Sequence, residues 1–367
     1  KEEPVPPGVP EAPSSAGLSM RTAIDEAFMA HLQLSLRIPD ESGAERIRDE
    51  LVEARALFDE RGWLEKPESY HVAPPLLETP KLRAASFAGQ PYEHMSFESE
   101  YEPHPEEPGR ERWLGYVPNR RAHAYVMRHR DDEPRPWIVC INGYRTGSPF
   151  TDIPAFGATK LHHKLGLNVL IPVLPLHGLR KIGKQSGDGF MDGEAMDMIH
   201  AEAQAMWDFR RLVSWARAQG ATRVGVQGLS LGAYTASLFA SIEEDLVCAI
   251  AGIPLADFPR IVWQHGPASD LDRFESAGLT QDLFEEVMRP IAPLAIAPKV
   301  PLEGRAIFAG CTDRIVPPDH QRDLWEHWER PRMHWYGGGH LSFGFDGRVQ
   351  QLVHDVLRET LCEDAAA

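Results

Sequence analysis

The feature that most restricts the fold of this chain is a glycine–serine turn between an apolar strand and a helix. Residues 223–234 read Arg-Val-Gly-Val-Gln-Gly-Leu-Ser-Leu-Gly-Ala-Tyr, in which Val224 and Val226 indicate a buried strand and the apolar run 231–240 indicates a buried helix. A serine in so tight a turn takes a strained backbone conformation, and glycines two residues to either side leave the neighbouring strand and helix room to pass. Ser230 is therefore expected at the carboxyl end of a strand. The competing interpretation is a glycine-rich turn whose serine is inert.

Two further polar residues follow apolar segments nearer the C-terminus. Residues 305–318 contain an apolar strand pattern that ends in Asp313 and is followed by a helix that prolines start, and residues 332–340 form a shorter strand pattern that ends in three glycines and His340. A serine becomes a nucleophile when an imidazole accepts its proton and a carboxylate fixes the tautomer of that imidazole. The chain order Ser230, Asp313, His340 is that of one particular scaffold, not of chymotrypsin-like or subtilisin-like enzymes. We interpret these three residues as a candidate catalytic set.

Asp257 is a competitor for the carboxylate role, because it also follows a predicted strand, at residues 247–253. A lone aspartate after a strand is more often a helix cap or a turn residue. Asp313 is favoured because it stands in the fuller pattern Gly-Cys-Thr-Asp-Arg-Ile-Val-Pro.

The motifs at residues 228–232, 310–317 and 337–340 resemble those of the α/β-hydrolase superfamily of serine esterases and lipases, and the resemblance covers about residues 94–362. At a finer level, residues 175–190 resemble uncharacterised bacterial members of that superfamily, here with an N-terminal helical extension. The resemblance implies that Ser230 is the nucleophile, that His340 is the general base and acid, and that Asp313 is the orienting acid. Members of the superfamily usually also carry an oxyanion loop after the third strand.

The strand pattern Trp137–Ile141 looks like that third strand, and it leads into Asn142, Gly143 and Tyr144, where Asn-Gly replaces the familiar His-Gly. The resemblance implies that the backbone N–H groups of Tyr144 and Leu231 face a developing oxyanion. Losing one such donor typically costs about 100-fold in rate. Two alternatives stay open, namely a plain Asn-Gly turn and donation from the Tyr144 hydroxyl group instead.

The alternation of apolar strand patterns with helical stripes predicts a mostly parallel central sheet with helices on both faces, as in the α/β-hydrolase fold that the resemblance implies. We predict a disordered proline-rich lead-in at residues 1–18, a helical N-terminal extension at 19–92, and a hydrolase domain at 93–362 with a lid-like helical insertion at 257–304. Within these, residues 67–91 read as irregular, 94–101 as an edge strand, and 113–117 and 122–129 as further strands.

Two amphipathic helices are predicted in the N-terminal extension. Thr22 is expected to cap the first, and Gly62 to end the second. The apolar stripes are Ile24, Phe28, Leu32 and Leu36 in the first helix and Ile47, Leu51, Ala54 and Phe58 in the second. Such stripes must lie against another surface. A cap over the active site, packing elsewhere on the body, and packing on a second copy of the chain all stay open.

Composition limits the partners. A formal net charge of -16 argues against nucleic acids and anionic membranes, which attract clustered Lys and Arg. No apolar run approaches the length of about 18 residues needed for a transmembrane helix. The four separated cysteines have neither metal-ligand spacing nor the density of a disulfide framework, which favours the reducing cytoplasm. Secretion stays open because residue 1 is a lysine, so that the true start is not fixed.

The combined interpretation is a serine hydrolase that cleaves a small-molecule or lipid carboxylic ester through an acyl-enzyme. This chemistry requires neither a metal nor an organic cofactor. The same residues could instead transfer the acyl group, or cleave peptides, thioesters or carbon–carbon bonds. They could also be unused in a binding protein built on the hydrolase fold.

Overall fold

The computed structural model describes residues 8–11, 16–131, 133–191 and 193–362. Within these ranges, nine strands form one sheet. They are β1 Lys81–Phe87, β2 Gln90–Glu98, β3 Arg121–Met127, β4 Trp137–Ile141, β5 Asn168–Pro172, β6 Val224–Leu229, β7 Leu246–Gly252, β8 Arg305–Gly310 and β9 Arg332–Tyr336. The order across the sheet is β1, β2, β3, β5, β4, β6, β7, β8, β9. Strands β4 to β9 run parallel, whereas β1, β2 and β3 form an antiparallel extension on β5.

The α-helices of the described residues precede, follow or connect these strands. They are α1 Ala16–Ser35, α2 Glu41–Glu60, α3 Arg110–Gly115, α4 Pro149–Ala155, α5 Ala158–Leu165, α6 Ala195–Ala218, α7 Leu231–Ile242, α8 Phe258–His265, α9 Ala268–Ser276, α10 Gln281–Met288, α11 Pro318–His327 and α12 Gly347–Leu357. None of them is both long and apolar enough to cross a membrane.

Alternate residues of the central strands are buried on opposite faces of the sheet. Val139 and Ile141 of β4 belong to one apolar cluster, which includes residues of α2, α6 and α7. Ile138 and Cys140 of the same strand belong to another cluster, which includes residues of α5 and α12. Because both faces are covered, the strands are apolar throughout. The predicted α/β class, with a mostly parallel sheet and helices on both faces, is confirmed.

The antiparallel extension begins earlier in the chain than predicted. Strand β1 lies in the segment predicted as irregular, and β2 starts at Gln90 and ends at Glu98, so that β1 and not β2 is the edge strand. The side chains of β1 are mostly exposed, and the strand therefore has no apolar alternation to reveal it. It is held by pairing with β2 across a turn at Ala88 and Gly89, both of which have positive φ.

The strand predicted at residues 113–117 is wrong, because residues 113–115 are the second half of helix α3 and residue 117 begins the 3-10 helix Val117–Arg120. Trp113 is buried, and its indole N–H donates to Oε1 of Gln204 in α6 at 3.0 Å. Arg112 pairs with Glu50 of α2 at 2.7 Å and with Asp197 of α6 at 2.8 Å. The segment is thus anchored on two helices and not on a neighbouring strand. The next predicted strand, at 122–129, is present as β3.

The first N-terminal helix starts before its predicted cap. Because α1 begins at Ala16, Thr22 lies inside the helix, and its hydroxyl group donates to the carbonyl of Leu18 at 3.1 Å. The predicted Thr22 cap is therefore wrong. Ile24, predicted in the apolar stripe, is 50% exposed, whereas Phe28 packs against the core.

The second N-terminal helix has the predicted buried stripe. Ile47, Leu51, Ala54 and Phe58 are all buried. The carboxylate of Asp40 accepts the N–H of Gly43 at 2.9 Å and so caps the first turn. Gly62, with φ +74, follows the end of α2 and lets the chain leave the helix.

The segment predicted as a lid-like insertion contains α8, α9 and α10, and it contacts the N-terminal helices. Arg273 donates to the carbonyl of Pro39 at 3.2 Å, and Gln33 donates to the carbonyl of His265 at 3.2 Å. The division of the chain at residues 18, 92 and 257–304 stays a prediction. Of the predicted lead-in, residues 1–7 and 12–15 lie outside the described residues, and residues 16–18 belong to α1.

Candidate active site

Ser230 stands in a strained turn between β6 and α7. Its φ is 57 and its ψ is -118, a combination that side-chain-bearing residues rarely adopt, and its N–H donates to the carbonyl of Gly252 in β7 at 2.9 Å. The flanking glycines are required by space. A Cβ on Gly228 would lie 2.0 Å from the carbonyl oxygen of Gly232, and a Cβ on Gly232 would lie 2.0 Å from that of Ile141. The close passage expected from the Gly-x-Ser-x-Gly pattern is thus present.

His340 and Asp313 meet Ser230 at the same edge of the sheet. The imidazole Nε2 of His340 is 2.9 Å from Oγ of Ser230, and its Nδ1 is 2.6 Å from Oδ2 of Asp313. The other carboxylate oxygen of Asp313 accepts the N–H groups of Ile315 at 2.9 Å and of Val316 at 2.8 Å. The pairing fits the tautomer with a proton on Nδ1, which leaves Nε2 to accept the serine hydroxyl proton.

Burial holds this cluster in place. Asp313 is 2% exposed and His340 is 4% exposed. Ser230, Asp313 and His340 follow β6, β8 and β9, whose carboxyl ends lie at one edge because these strands are parallel. The three residues singled out from chain order are thus brought together by the topology.

Asp257, the competing carboxylate, is engaged elsewhere. It is the N-cap of α8, and its Oδ1 accepts the N–H of Arg260 at 2.9 Å. The carboxylate that contacts the imidazole of His340 is that of Asp313. The geometry therefore favours Asp313 for the orienting role.

The loop predicted to form an oxyanion hole passes beside Ser230. A Cβ on Gly143 would lie 3.2 Å from the carbonyl oxygen of Leu229 and 3.4 Å from Cβ of Ser230. The preceding Asn142 is buried, and the Thr146 hydroxyl group donates to the carbonyl of Gly143 at 2.6 Å, which closes the loop. The predicted Asn-Gly segment is thus next to the serine.

The two residues predicted to donate to an oxyanion are Tyr144, which follows Gly143 in the chain, and Leu231, which follows Ser230. Leu231 is the first residue of α7 and is buried. The ring of Tyr144 packs edge-on against His177, with ring centroids 5.7 Å apart, and the guanidinium carbon of Arg145 lies 4.9 Å from the Tyr144 ring centroid. Arg145 in turn pairs with Asp188. That the N–H groups of Tyr144 and Leu231 bind an oxyanion stays a prediction.

One residue at the site, Asp25 of α1, was missed by sequence reasoning. It is 1% exposed, and its carboxylate accepts the backbone N–H of His340 at 2.6 Å. Burial, followed by the charge of Asp313, raises the pKa of Asp25 above its ordinary value. A signal was available, because Asp25 lies on one helical face with Phe28 and Met29, which pack against the core. An acid within an apolar stripe predicts a buried partner.

The surface next to His340 is partly apolar. His340 begins a short 3-10 turn that ends at Phe345, and in this turn Leu341 is 43% exposed and Phe345 is 82% exposed. A separate cavity of about 210 Å³ lies nearby, with Leu229, Phe308 and Phe343 in its lining. The described residues that line it include neither Ser230 nor His340, so it is not the place where a scissile bond would meet the serine.

No group of three or more His, Cys, Asp or Glu side chains suited to hold a metal ion occurs among the described residues. Cys140 and Cys248 are buried, Cys311 is half-buried and Cys362 is exposed, and no disulfide joins them in the part of the chain that the structure describes.

Two comparisons with known proteins found relatives, whereas no protein-family model matches the chain. The chain is 39% identical over 362 residues to the uncharacterized protein Rv2627c of Mycobacterium tuberculosis strain H37Rv, covering 98% of this chain and 86% of that protein. The uncharacterized protein MT2702 of strain CDC 1551 matches with the same identity and coverage.

Among solved structures, acetyl xylan esterase 1 from Thermoanaerobacterium sp. JW/SL YS485 is similar, with a TM-score of 0.53, 15% identity, and coverage of 83% of this chain and 93% of that one. The acetyl xylan esterase from Paenibacillus sp. R4 is similar with a TM-score of 0.56, 13% identity and the same coverage. At these identities the likeness shows a shared fold.

Proposed function

The chain belongs to the family of these mycobacterial proteins and has the α/β-hydrolase fold, and from this premise we propose that it is a serine hydrolase that cleaves carboxylic esters through an acyl-enzyme. Fold alone does not fix function, so the proposal depends on the site.

The observation that carries the proposal is the continuous pair of contacts from Ser230 through His340 to Asp313. The distances are 2.9 Å between Oγ and Nε2 and 2.6 Å between Nδ1 and Oδ2, both within hydrogen-bonding range. The serine at the end of this chain of contacts has the strained backbone of an exposed nucleophile. An inert serine in a glycine-rich turn has no need of a buried imidazole and carboxylate behind it.

The proposed reaction proceeds in two halves. Oγ of Ser230 attacks the ester carbonyl carbon while Nε2 of His340 takes the hydroxyl proton, and Asp313 stabilises the resulting imidazolium. The N–H groups of Tyr144 and Leu231 hold the carbonyl oxygen as it becomes negative. His340 then returns the proton to the leaving alcohol, which departs and leaves an acyl group on Ser230. In the second half, His340 activates a water molecule that releases the acid and restores the serine.

An ester is the proposed substrate because its hydrolysis requires only a nucleophile, a general base and acid with its orienting carboxylate, and oxyanion donors, and the proposed reaction assigns each of these roles to a residue of this site. Leu341 and Phe345 are exposed beside His340 and offer apolar contact to an acyl chain or to an alcohol group. The two similar solved structures are acetyl xylan esterases, so acetyl esters are the first substrates to test.

A series of p-nitrophenyl esters of increasing acyl length tests the proposal. We expect the wild-type protein to hydrolyse at least one ester, and Ser230→Ala to lower kcat by roughly 10⁶-fold because the nucleophile is lost. Ser237→Ala, which removes a buried hydroxyl group from the same helix α7, is the matched control and should keep the wild-type rate. Equal hydrolysis by wild type and Ser230→Ala, or no hydrolysis of any ester by the wild type, contradicts the proposal.

A further inference from the structure

Helix α1 lies across the two loops that carry Asp313 and His340. The guanidinium group of Arg21 donates to the carbonyl of Gly337 at 3.1 Å, in the loop that leads to His340. The hydroxyl groups of Thr22 and Thr312 are 3.5 Å apart, and Thr312 immediately precedes Asp313. The N-terminal helix therefore contacts both loops, one through the backbone carbonyl of Gly337 and the other through the side chain of Thr312.

Between these two contacts, the carboxylate of Asp25 accepts three backbone N–H groups. Its Oδ2 accepts the N–H of His340 at 2.6 Å and that of Arg314 at 3.3 Å, and its Oδ1 accepts the N–H of Leu341 at 3.3 Å. Arg314 is the residue after Asp313. One buried carboxylate thus ties together the loops after β8 and β9, in addition to the direct hydrogen bond from the N–H of Thr312 to the carbonyl of Gly338 at 3.2 Å.

The fit around Asp25 is close. A Cβ on Gly339 would lie 2.2 Å from Oδ2 of Asp25, so the carboxylate rests directly against the peptide that precedes His340. The Tyr336 hydroxyl group donates to the carbonyl of Gly339 at 2.9 Å and holds the same peptide from its other side. Displacing Asp25 would therefore remove one of the contacts that hold the backbone from which the imidazole projects.

We propose that Asp25 is a positioning residue of the active site, whose carboxylate sets the place of the His340 imidazole between Ser230 and Asp313 by holding the backbone at His340 and Arg314. This inference rests on the proposed function and extends it, because it makes α1 a part of the active site rather than an appendage. Asp25 does not touch the substrate, and its effect is exerted through His340.

The energetic cost of this arrangement agrees with a role in positioning. Burial and the neighbouring charge of Asp313 raise the pKa of Asp25, whereas its three N–H donors lower it. A carboxyl group whose pKa is raised on folding contributes stability below its unfolded-state pKa and loses that contribution as pH rises through the folded-state pKa. Ionising Asp25 in its buried position therefore costs stability, although the carboxylate is the form that accepts three N–H groups at once.

The test compares four full-length proteins: wild type, Asp25→Asn, Asp25→Ala, and Glu26→Gln as the exposed neighbour on the same helix. A fluorophosphonate first titrates the reactive serines, and kcat and KM for a p-nitrophenyl ester are then expressed per titrated site. We expect Asp25→Ala to lower kcat per site by up to about 100-fold, since a displacement of about 1 Å costs that much. Asp25→Asn, which keeps one acceptor oxygen, should lose less, and KM should stay within about twofold of wild type.

Counting the reactive serines distinguishes an effect of Asp25 on the position of His340 from an effect on the amount of folded protein. A purely structural role would lower the number of titrated sites and leave kcat per site unchanged, and that result overturns the inference. Wild-type kcat per site in both Asp25 variants likewise overturns it while leaving the proposed function intact. If Asp25→Ala does not fold, the result for Asp25→Asn decides. If the wild type neither reacts with the probe nor hydrolyses an ester, the proposed function and this inference fail together.

Discussion

The proposed chemistry depends first on which carboxylate supports the imidazole of His340. Asp313 accepts from Nδ1 of His340 at 2.6 Å, whereas Asp257 caps α8. We therefore expect Asp313→Asn to lower kcat by about 10⁴-fold, because the amide group favours the wrong imidazole tautomer. Asp257→Asn keeps a side-chain oxygen that can cap α8, and should leave kcat near the wild-type value. Steady-state ester hydrolysis measures both, and the reverse ranking of the two variants would move the acid role to Asp257.

Glu202 is a fully buried acid in α6. The hydroxyl group of Thr235 donates to its Oε1 at 3.1 Å, and burial raises the pKa of Glu202 from 4.5 to about 8. Because the folded-state pKa is the higher one, the stability that Glu202 contributes is present below about 4.5 and is lost as pH rises towards about 8.

Glu202→Gln removes this titration. We expect the free energy of unfolding of the variant to exceed that of the wild type by on the order of a few kcal/mol at about pH 8, and by less at about pH 4.5. Urea unfolding at both ends measures the difference. An equal difference between the two proteins at both pH values would show that Glu202 does not titrate as described.

The sequence reveals the roles of some residues of the candidate site but not of all of them. Ser230, Asp313 and His340 each follow an apolar strand, and parallel strands end at one edge, so their meeting could be predicted. The contact between Asp25 and His340 joins positions 315 residues apart in the chain. The apolar stripe around Asp25 shows that this acid is buried, but nothing local shows which N–H groups it accepts.

At the scale of elements, helix α2 connects the N-terminal region with the body of the protein. Leu51 is fully buried in it, whereas the adjacent Val52 is 40% exposed. We expect Leu51→Ala to lower the free energy of unfolding by about 2 to 5 kcal/mol, because it leaves a cavity as well as losing apolar burial. Val52→Ala, the matched control, should change it by no more than about 0.5 kcal/mol. Similar losses in both variants, measured by urea unfolding, would mean that α2 does not pack as described.

Helices and strands whose apolar residues recur regularly could be predicted from the sequence. Elements that are mostly exposed or held by polar contacts could not. The stripe of α2 and the runs of β4 and β5 are continuous in the sequence and present in the structure. Strand β1 is mostly exposed, and α3 is anchored by Arg112 and Trp113 on helices distant in the chain. Their conformations follow from pairing and anchoring and not from local periodicity, so the sequence alone does not predict them.

At the scale of the whole molecule, the alternation of strands and helices predicts a parallel sheet, but the strand order is a long-range property. The order places β4 between β5 and β6, so the loop after β4 and the turn after β6 are neighbours. That adjacency brings Gly143 so near to Ser230 that a Cβ at position 143 would lie 3.4 Å from Cβ of the serine. The site is therefore a product of topology, with each part supplied by a different strand end.

The most direct test of the account is covalent labelling of the folded protein with a fluorophosphonate, followed by mass measurement of the intact chain and of its peptides. A serine activated by a neighbouring imidazole reacts with such a probe, whereas an ordinary serine does not. We predict one adduct, on Ser230, that is absent in Ser230→Ala and forms more slowly in Asp313→Asn. A folded wild-type protein that forms no adduct, or that carries it on another residue, would contradict the account.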